Sequence, residues 1–282
     1  MSTPETVPPE VTAALETVSR RPFDNFLHCL LLGKFSLESG IPLKNWSTLL
    51  DQWPYDPAQT LSTYGRGNCV DFAAHTQQAL AAIDYQTDVI GVLPPRLWSP
   101  NQCYAAGYSH VSLLARQQGL VMYEPAWRFN QPIPLLPVGD EALITDYRFK
   151  TTALRGDALT QQVIEADGHT YQRRFELAPL SLQALKRMTK GIQRVSRRLE
   201  LNTLDETGAE VYLRYEPYND ALTSNIERLP GYFEPEDIRS RANNALSDMF
   251  GFDVKEHLLA ALAIREALPE DFWIPGLAPE GQ

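Results

Sequence analysis

The sequence lacks a long apolar run, an excess of basic charge and the cysteines of a disulfide framework. Among the 282 residues, no stretch approaches the roughly 20 apolar residues that a helix needs to cross a bilayer. The net charge of -10 argues against general nucleic-acid binding, because a basic excess is needed to release the counterions of phosphates. Three cysteines are too few, and odd in number, for a framework of disulfides.

The N-terminus and the cysteine content predict the cellular compartment of the protein. The first ten residues contain no basic segment followed by an apolar one, so no secretory signal is expected. Together with free thiols this predicts a cytoplasmic protein, with neither a membrane nor a nucleic acid as partner. A content of 44% hydrophobic and 21% charged residues is typical of a globular protein with a sizeable core.

Helical and strand patterns divide the chain into four regions. Residues 1–10 are rich in proline and glutamate and are predicted to be disordered. Residues 11–62 are mostly helical and include an apolar run from Phe23 to Leu32. Residues 63–180 contain a helix that leads into an antiparallel sheet or barrel, after which Pro125, Pro132, Pro134 and Pro137 are expected to interrupt regular structure. Residues 181–282 combine further strands with C-terminal helices near Glu234–Met249 and Val254–Ala267. This order of elements predicts an α+β fold.

Cys69 has the surroundings of a reactive thiol. It follows the turn Tyr64-Gly65-Arg66-Gly67-Asn68 and opens the stretch from Cys69 to Ile83, the strongest helical pattern of the chain. Glycines allow a substrate to approach the backbone, and the positive end of a helix favours thiolate over thiol. The backbone N–H of Cys69 is expected to serve as an oxyanion donor. The alternative is a small buried apolar residue.

A predicted hairpin follows, with strands Tyr108–Arg116 and Leu120–Tyr123 around Gln117-Gln118-Gly119. A three-residue loop would place Ser112 opposite Glu124, and His110 diagonally across from Glu124 on the same face. Diagonal neighbours have Cβ atoms about 7–8 Å apart, within reach of a glutamate and an imidazole. The carboxylate would then fix the imidazole tautomer while the other ring nitrogen addresses the thiol.

This assignment has alternatives. A two-residue loop would put His110 and Glu124 on opposite faces of the hairpin. Asp71 or Asp146 is then available to orient the imidazole, and Glu124 would be a surface carboxylate.

The order of Cys69, His110 and Glu124 resembles that of the transglutaminase-like branch of the papain-like thiol enzymes. The stretch Gly67-Asn68-Cys69-Val70-Asp71-Phe72-Ala73 is similar to the Gly-x-Cys-x-Asp-x-Ala pattern of that branch. The longer outline resembles arylamine N-acetyltransferases, which also have helices before the cysteine. Three segments carry this second resemblance: Tyr123-Glu124-Pro125-Ala126-Trp127-Arg128-Phe129, Ile133-Pro134-Leu135 and Leu246-Ser247-Asp248-Met249-Phe250-Gly251-Phe252.

The resemblance implies a papain-like fold and an acyl-enzyme thioester on Cys69. It makes Trp127 and Phe129 contacts of the substrate, which would be a small-molecule amine or a peptide. The acyl donor would be coenzyme A or the phosphopantetheine of an acyl carrier protein, with no tightly bound cofactor. Two features depart from the acetyltransferase pattern: Gly65-Arg66-Gly67-Asn68-Cys69 replaces Arg-Gly-Gly-x-Cys, and Glu124 replaces the usual aspartate.

One basic run stands out in this acidic chain, comprising Lys186, Arg187, Lys190, Arg194, Arg197 and Arg198. Lys186, Lys190 and Arg194 recur every four residues and would share one face of a helix. Such a face is either solvated or a contact for the phosphates of the donor, with Lys190 and Arg194 as the predicted cofactor-binding residues.

The predicted function is cysteine-dependent acyl transfer to an amine. One alternative is transglutaminase-like, amidase or peptidase chemistry on a glutamine or a peptide bond. Another is a non-catalytic binding module of the same fold. Zinc bound by Cys69, His75, Cys103 and His110 is the rival chemistry, but no Cys-x-x-Cys or His-Glu-x-x-His spacing supports it, so no metal is expected.

Overall fold

The computed structural model describes residues 7–93, 110–117, 120–127, 129–186, 188, 199–216, 221–226, 232–233, 247 and 249–267. The chain forms two compact units. The first unit comprises Met1–Arg20, Asp56–Tyr64 and Cys69–Gly191, and the second comprises Arg21–Tyr55, Gly65–Asn68 and Ile192–Gln282.

The described helices are α1 (Pro9–Ser19), α2 (Phe26–Ser39), α3 (Trp46–Gln52), α4 (Pro57–Tyr64), α5 (Cys69–Ala81) and α6 (Val254–Ala267), with 3₁₀ turns at Leu43–Asn45 and Pro125–Trp127. The described strands are β1 (Phe23–Asp24), β2 (Thr87–Leu93), β3 (His110–Ala115), β4 (Val121–Glu124), β5 (Phe129–Pro134), β6 (Glu141–Ile144), β7 (Tyr147–Arg155), β8 (Ala158–Ile164), β9 (Thr170–Pro179), β10 (Leu199–Leu204), β11 (Glu210–Glu216), β12 (Ala221–Ser224) and β13 (Tyr232–Phe233). The α+β class predicted from the sequence is confirmed.

The first unit is built on an eight-stranded sheet in the order β5-β4-β3-β2-β9-β8-β7-β6. One face of this sheet forms an apolar core that includes Ile90, Leu114, Met122 and Phe175. Helix α5 packs against β2, β3 and the 3₁₀ turn at Pro125–Trp127, and α1 packs against α5. The first residue of α5 therefore lies beside the hairpin of β3 and β4.

The second unit has a five-stranded sheet in the order β1-β10-β11-β12-β13. Helices α2 and α6 pack against each other over a core in which Phe26, Leu201, Leu213 and Leu258 are buried. The turn at residues 65–68 also belongs to this unit, and Gly65 adopts a φ of 69°, which glycine tolerates best.

Arg66 holds that turn within the second unit. Its Nε donates to Asp24 Oδ2 at 3.1 Å, and its Nη2 lies 3.1 Å from His257 Nε2. The guanidinium also lies over the Phe252 ring, 3.7 Å from the ring centroid. Since His257 Nδ1 faces the carbonyl oxygen of Asp253 at 2.9 Å, Nδ1 carries the proton and Nε2 accepts from Arg66.

The register of the hairpin confirms the predicted three-residue loop and the shared face of His110 and Glu124. Leu113 pairs with Tyr123 and Ala115 with Val121, and this register places Ser112 opposite Glu124, as a three-residue loop requires. The helix that starts at Cys69 is confirmed over Cys69–Ala81, and the C-terminal helix is confirmed at Val254–Ala267. The predicted helix near Glu234–Met249 lies mostly outside the described residues.

Three local predictions differ from the structure. Helix α1 begins at Pro9, within the stretch predicted to be disordered, because proline suits the first turn of a helix. The apolar run from Phe23 starts as strand β1, and Asp24 then caps α2 by accepting the N–H of Leu27 at 3.0 Å.

The third difference concerns the prolines after Glu124, which were expected to interrupt regular structure. Strand β5 instead runs through Pro132 and ends at Pro134. It is the end strand of its sheet, where a residue without an N–H costs no ladder hydrogen bond. In the described parts of the chain, no helix combines the length and apolar character needed to cross a membrane.

Candidate active site

Cys69 and His110 come together where α5 meets the hairpin. Cys69 is the first residue of α5 and is 7% exposed, and His110 is the first residue of β3, with 14% of its side chain exposed. The Cys69 thiol lies close enough to the imidazole to raise the pKa of His110. Nε2 of His110 faces a carboxylate, so Nδ1 is the nitrogen left for the thiol.

Glu124 occupies the other side of the imidazole. Its Oε2 lies 3.0 Å from His110 Nε2, and its Oε1 accepts a hydrogen bond from Ser112 Oγ at 2.6 Å. The carboxylate is fully buried. The structure therefore brings Cys69, His110 and Glu124 together, with Glu124 hydrogen-bonded to the imidazole and Cys69 beside it.

The surroundings of His110 favour its protonated form. Burial by itself would lower the pKa of the imidazole, but the charge of Cys69 and the hydrogen bonds to Cys69 and Glu124 outweigh it. The net effect raises the pKa of His110 to about 9. At neutral pH the site therefore favours an imidazolium facing the thiol.

Glu124 stays ionised despite its burial. Desolvation opposes the charged carboxylate, but the guanidinium of Arg173 and the hydrogen bonds from His110 and Ser112 outweigh it and lower the pKa of Glu124. Arg173 Nη2 donates directly to Glu124 Oε1.

Arg173 was missed in the sequence, and Ser112 was placed opposite Glu124 but was not predicted to donate a hydrogen bond to it. The signal for Arg173 is its position in β9, where the inward-facing residues Tyr171, Phe175 and Leu177 alternate with outward ones. An arginine in an inward register must be paired with a buried acid, because an unpaired buried charge is costly.

Trp127 is placed beside the imidazole by the 3₁₀ turn that follows Glu124. Its ring stacks on that of His110, with centroids 5.5 Å apart and planes inclined by 26°. At 38% exposure, Trp127 presents an aromatic surface to solvent at the edge of the site. The side chain of Phe129, and all of Lys190, Arg194 and Cys103, lie outside the described residues.

The alternative acids find no support. Glu124 holds the ring nitrogen that Asp71 or Asp146 would have to occupy, and Asp146 lies exposed in the turn between β6 and β7. Among the described residues, no three histidine, cysteine, aspartate or glutamate side chains form a group that could hold a metal ion.

Cys29 provides an internal comparison for the reactivity of Cys69. Burial, together with the nearby Asp24 carboxylate, raises the pKa of the Cys29 thiol to about 12, so almost no Cys29 thiolate forms at pH 6.5. In a Cys103→Ser background, iodoacetamide at pH 6.5 should alkylate Cys69 at least about 1,000-fold faster than Cys29. Peptide mapping over a time course measures both rates.

Two controls make this comparison decisive. Adding Cys69→Ser should abolish the fast phase, and denaturant should bring the two cysteines to similar rates because burial no longer protects Cys29. Equal rates in the native protein would remove the argument that Cys69 is activated.

The fold is shared with arylamine N-acetyltransferases of known structure. The Mycobacterium marinum arylamine N-acetyltransferase superposes with a TM-score of 0.58 at 15% identity, over 95% of this chain and 95% of that chain. The M. marinum protein in complex with CoA gives 0.55 at 16% identity, over 88% and 89%. A Bacillus cereus arylamine N-acetyltransferase with a unique Cys-His-Glu catalytic triad gives 0.53 at 14% identity, over 90% and 95%.

No family model matches the sequence, and neither does any curated protein. The resemblance in outline to arylamine N-acetyltransferases is confirmed by the structural matches over most of the chain. At these identities the likeness establishes the fold.

Proposed function

We propose that this protein transfers an acyl group from a thioester donor to an amine through an acyl-enzyme on Cys69. The observation that carries the proposal is the buried chain of contacts from Cys69 through His110 to Glu124. A thiol beside an imidazole whose second nitrogen is held by a carboxylate is the arrangement that activates a cysteine nucleophile. The Cys-His-Glu triad of the Bacillus cereus acetyltransferase supports glutamate as the third member.

In the first half-reaction, the Cys69 thiolate attacks the carbonyl carbon of the donor. The backbone N–H of Cys69 is the proposed donor to the oxyanion, since the first N–H groups of a helix have no partner within it. The intermediate collapses by breaking the bond to the donor sulfur, which takes the proton from His110. The acyl group remains on Cys69 as a thioester.

In the second half-reaction, the change of charge at Cys69 converts His110 from an acid into a base. The thiolate is the strongest influence raising the pKa of His110, and acylation removes that charge. The neutral imidazole accepts a proton from the attacking amine, and the Cys69 thiolate leaves. The ion pair of the resting site is thereby restored.

Coenzyme A is the preferred donor. The M. marinum protein, which shares this fold, has been solved with CoA, whereas no structural match described above is a complex with an acyl carrier protein. Lys190 and Arg194 remain the proposed contacts for the donor phosphates, on the argument of their spacing in the sequence and of arginine's fit to phosphate. For the acceptor, the exposed ring of Trp127 beside His110 is the proposed surface, and Phe129 remains a proposed contact.

A transglutaminase-like or amidase activity is the second candidate. The observation that favours it is the raised pKa of His110, because an imidazolium at neutral pH can protonate an amine or ammonia leaving group. A glutamine or peptide donor would then acylate the same cysteine. This candidate differs from the first in its donor and shares all three residues.

Two-substrate kinetics distinguish these possibilities. With acetyl-coenzyme A and a panel of amines, we expect parallel double-reciprocal lines, because the donor product leaves before the amine binds. Omitting the amine should leave only slow hydrolysis. Release of ammonia from glutamine peptides, without turnover of acetyl-coenzyme A, would favour the second candidate, and turnover of neither would favour a non-catalytic binding module.

A further inference from the structure

Arg173 is a buried cation within the candidate site, and it is not one of the three proposed catalytic residues. It is 5% exposed and lies on β9 between the inward-facing Tyr171 and Phe175. A guanidinium loses most of its hydration at such a position, so it is retained only where its charge is paired. The pairing here is with Glu124, through Nη2 and Oε1.

The contacts of Arg173 close a ring of four side chains, of which the imidazole of His110 is one. His110 Nε2 meets one oxygen of Glu124 at 3.0 Å, and Arg173 binds the other oxygen. The Arg173 guanidinium lies 3.9 Å from the centroid of Trp127, which stacks on His110. Arg173 therefore contacts both Glu124 and Trp127, the two side chains that hold the imidazole of His110.

The charged groups of the proposed site also form two neutral pairs. A Cys69 thiolate with a His110 imidazolium forms one neutral pair, and Glu124 with Arg173 forms the other. Without Arg173, the fully buried Glu124 carboxylate would keep its hydrogen bonds with His110 and Ser112 but would lose its paired positive charge.

We propose that Arg173 is a positioning residue that keeps Glu124 ionised and Trp127 in place, and so holds His110 as the charged partner of the Cys69 thiol. This inference rests on the proposed function for the roles of Cys69 and His110. It adds a fourth residue that acts through Glu124 and has no contact of its own with the reacting atoms.

The consequence of losing Arg173 follows from the burial of Glu124. Desolvation is the strongest influence on this carboxyl group and favours its neutral form, and Arg173 is the strongest influence opposing it. We therefore expect Glu124 to take up a proton when the guanidinium is removed. A neutral carboxyl group no longer stabilises the imidazolium, so Cys69 loses its charged partner and should be alkylated more slowly.

The test uses Arg173→Met, which keeps the length of the side chain without its charge. Infrared difference spectra of protein labelled with ¹³C-glutamate should show the carbonyl band of a protonated carboxyl group at pH 7. The band should be missing from the wild type and from the Arg173→Met/Glu124→Gln double variant. The rate of alkylation of Cys69 should fall to that of Glu124→Gln, and the double variant should be no slower than either single variant.

Arg173→Lys separates charge from simple packing. It keeps a cation, so we expect no carboxyl band and a Cys69 alkylation profile against pH close to that of the wild type. A purely structural role would instead lower the thermal stability of both variants with no new band.

A folded Arg173→Met protein with no carboxyl band and an unchanged profile would overturn the proposal. If Arg173→Met does not fold, Arg173→Lys provides the test. A loss of Cys69 reactivity in Arg173→Lys without a carboxyl band would also overturn the proposal. Neither readout requires turnover. Absence of acyl transfer with the band present would reject the proposed function while leaving the role of Arg173 toward Glu124 intact.

Discussion

Replacing His110 with glutamine should lower kcat/KM for the acyl donor by at least about 1,000-fold. Glutamine can hydrogen-bond to Glu124, but it cannot carry a positive charge beside the thiol or exchange a proton with the amine. Because the two half-reactions use His110 in opposite protonation states, both should slow. Steady-state kinetics with the donor, and alkylation of Cys69 in the same preparation, measure the two consequences.

The pH dependence of kcat/KM provides a second test of the role of His110. The pKa of His110 is raised to about 9, so the imidazolium is present through neutral pH and is lost as the pH rises through about 9. The kcat/KM for a donor whose leaving group needs a proton should therefore decline above that pH. In His110→Gln this decline should disappear, because the residue that titrates is gone.

His169 provides a matched control. It is an exposed histidine in the turn between β8 and β9, so His169→Gln should leave kcat/KM and the alkaline decline unchanged. A loss of activity smaller than about tenfold in His110→Gln would contradict a role for His110 in proton transfer.

Short-range rules were sufficient to predict the three central residues of the candidate site. The glycine-rich turn and the helical pattern placed Cys69 at a helix N-terminus. Loop length and the two-residue period of strands placed His110 and Glu124 on one face of a hairpin, and the pairing of Leu113 with Tyr123 follows that register. Both arguments depend on residues close together in the chain, where geometry is fixed by local chemistry.

The residues that were missed depend on long-range pairing. Arg173 reaches Glu124 because β9 pairs with β2 and β2 pairs with β3, and no local pattern specifies that order. Strand β5 was missed for a similar reason, since Pro132 is acceptable only once the strand is known to lie at an edge.

The central claim is that Cys69 carries the acyl group between donor and acceptor. Mixing the protein with acetyl-coenzyme A in the absence of amine, and quenching in acid, should add the mass of one acetyl group to the intact protein. Peptide mapping should place that group on Cys69, and adding an amine before the quench should remove it as the N-acetyl product forms.

Cys69→Ser should gain no acetyl group, whereas Cys29→Ser should be labelled like the wild type because Cys29 is buried in the core of the other unit. The account predicts one acetyl group, on Cys69, that is discharged by an amine. An unmodified Cys69 in a protein that nevertheless transfers acetyl groups, or a label on another residue that amines discharge at the rate of turnover, would contradict it.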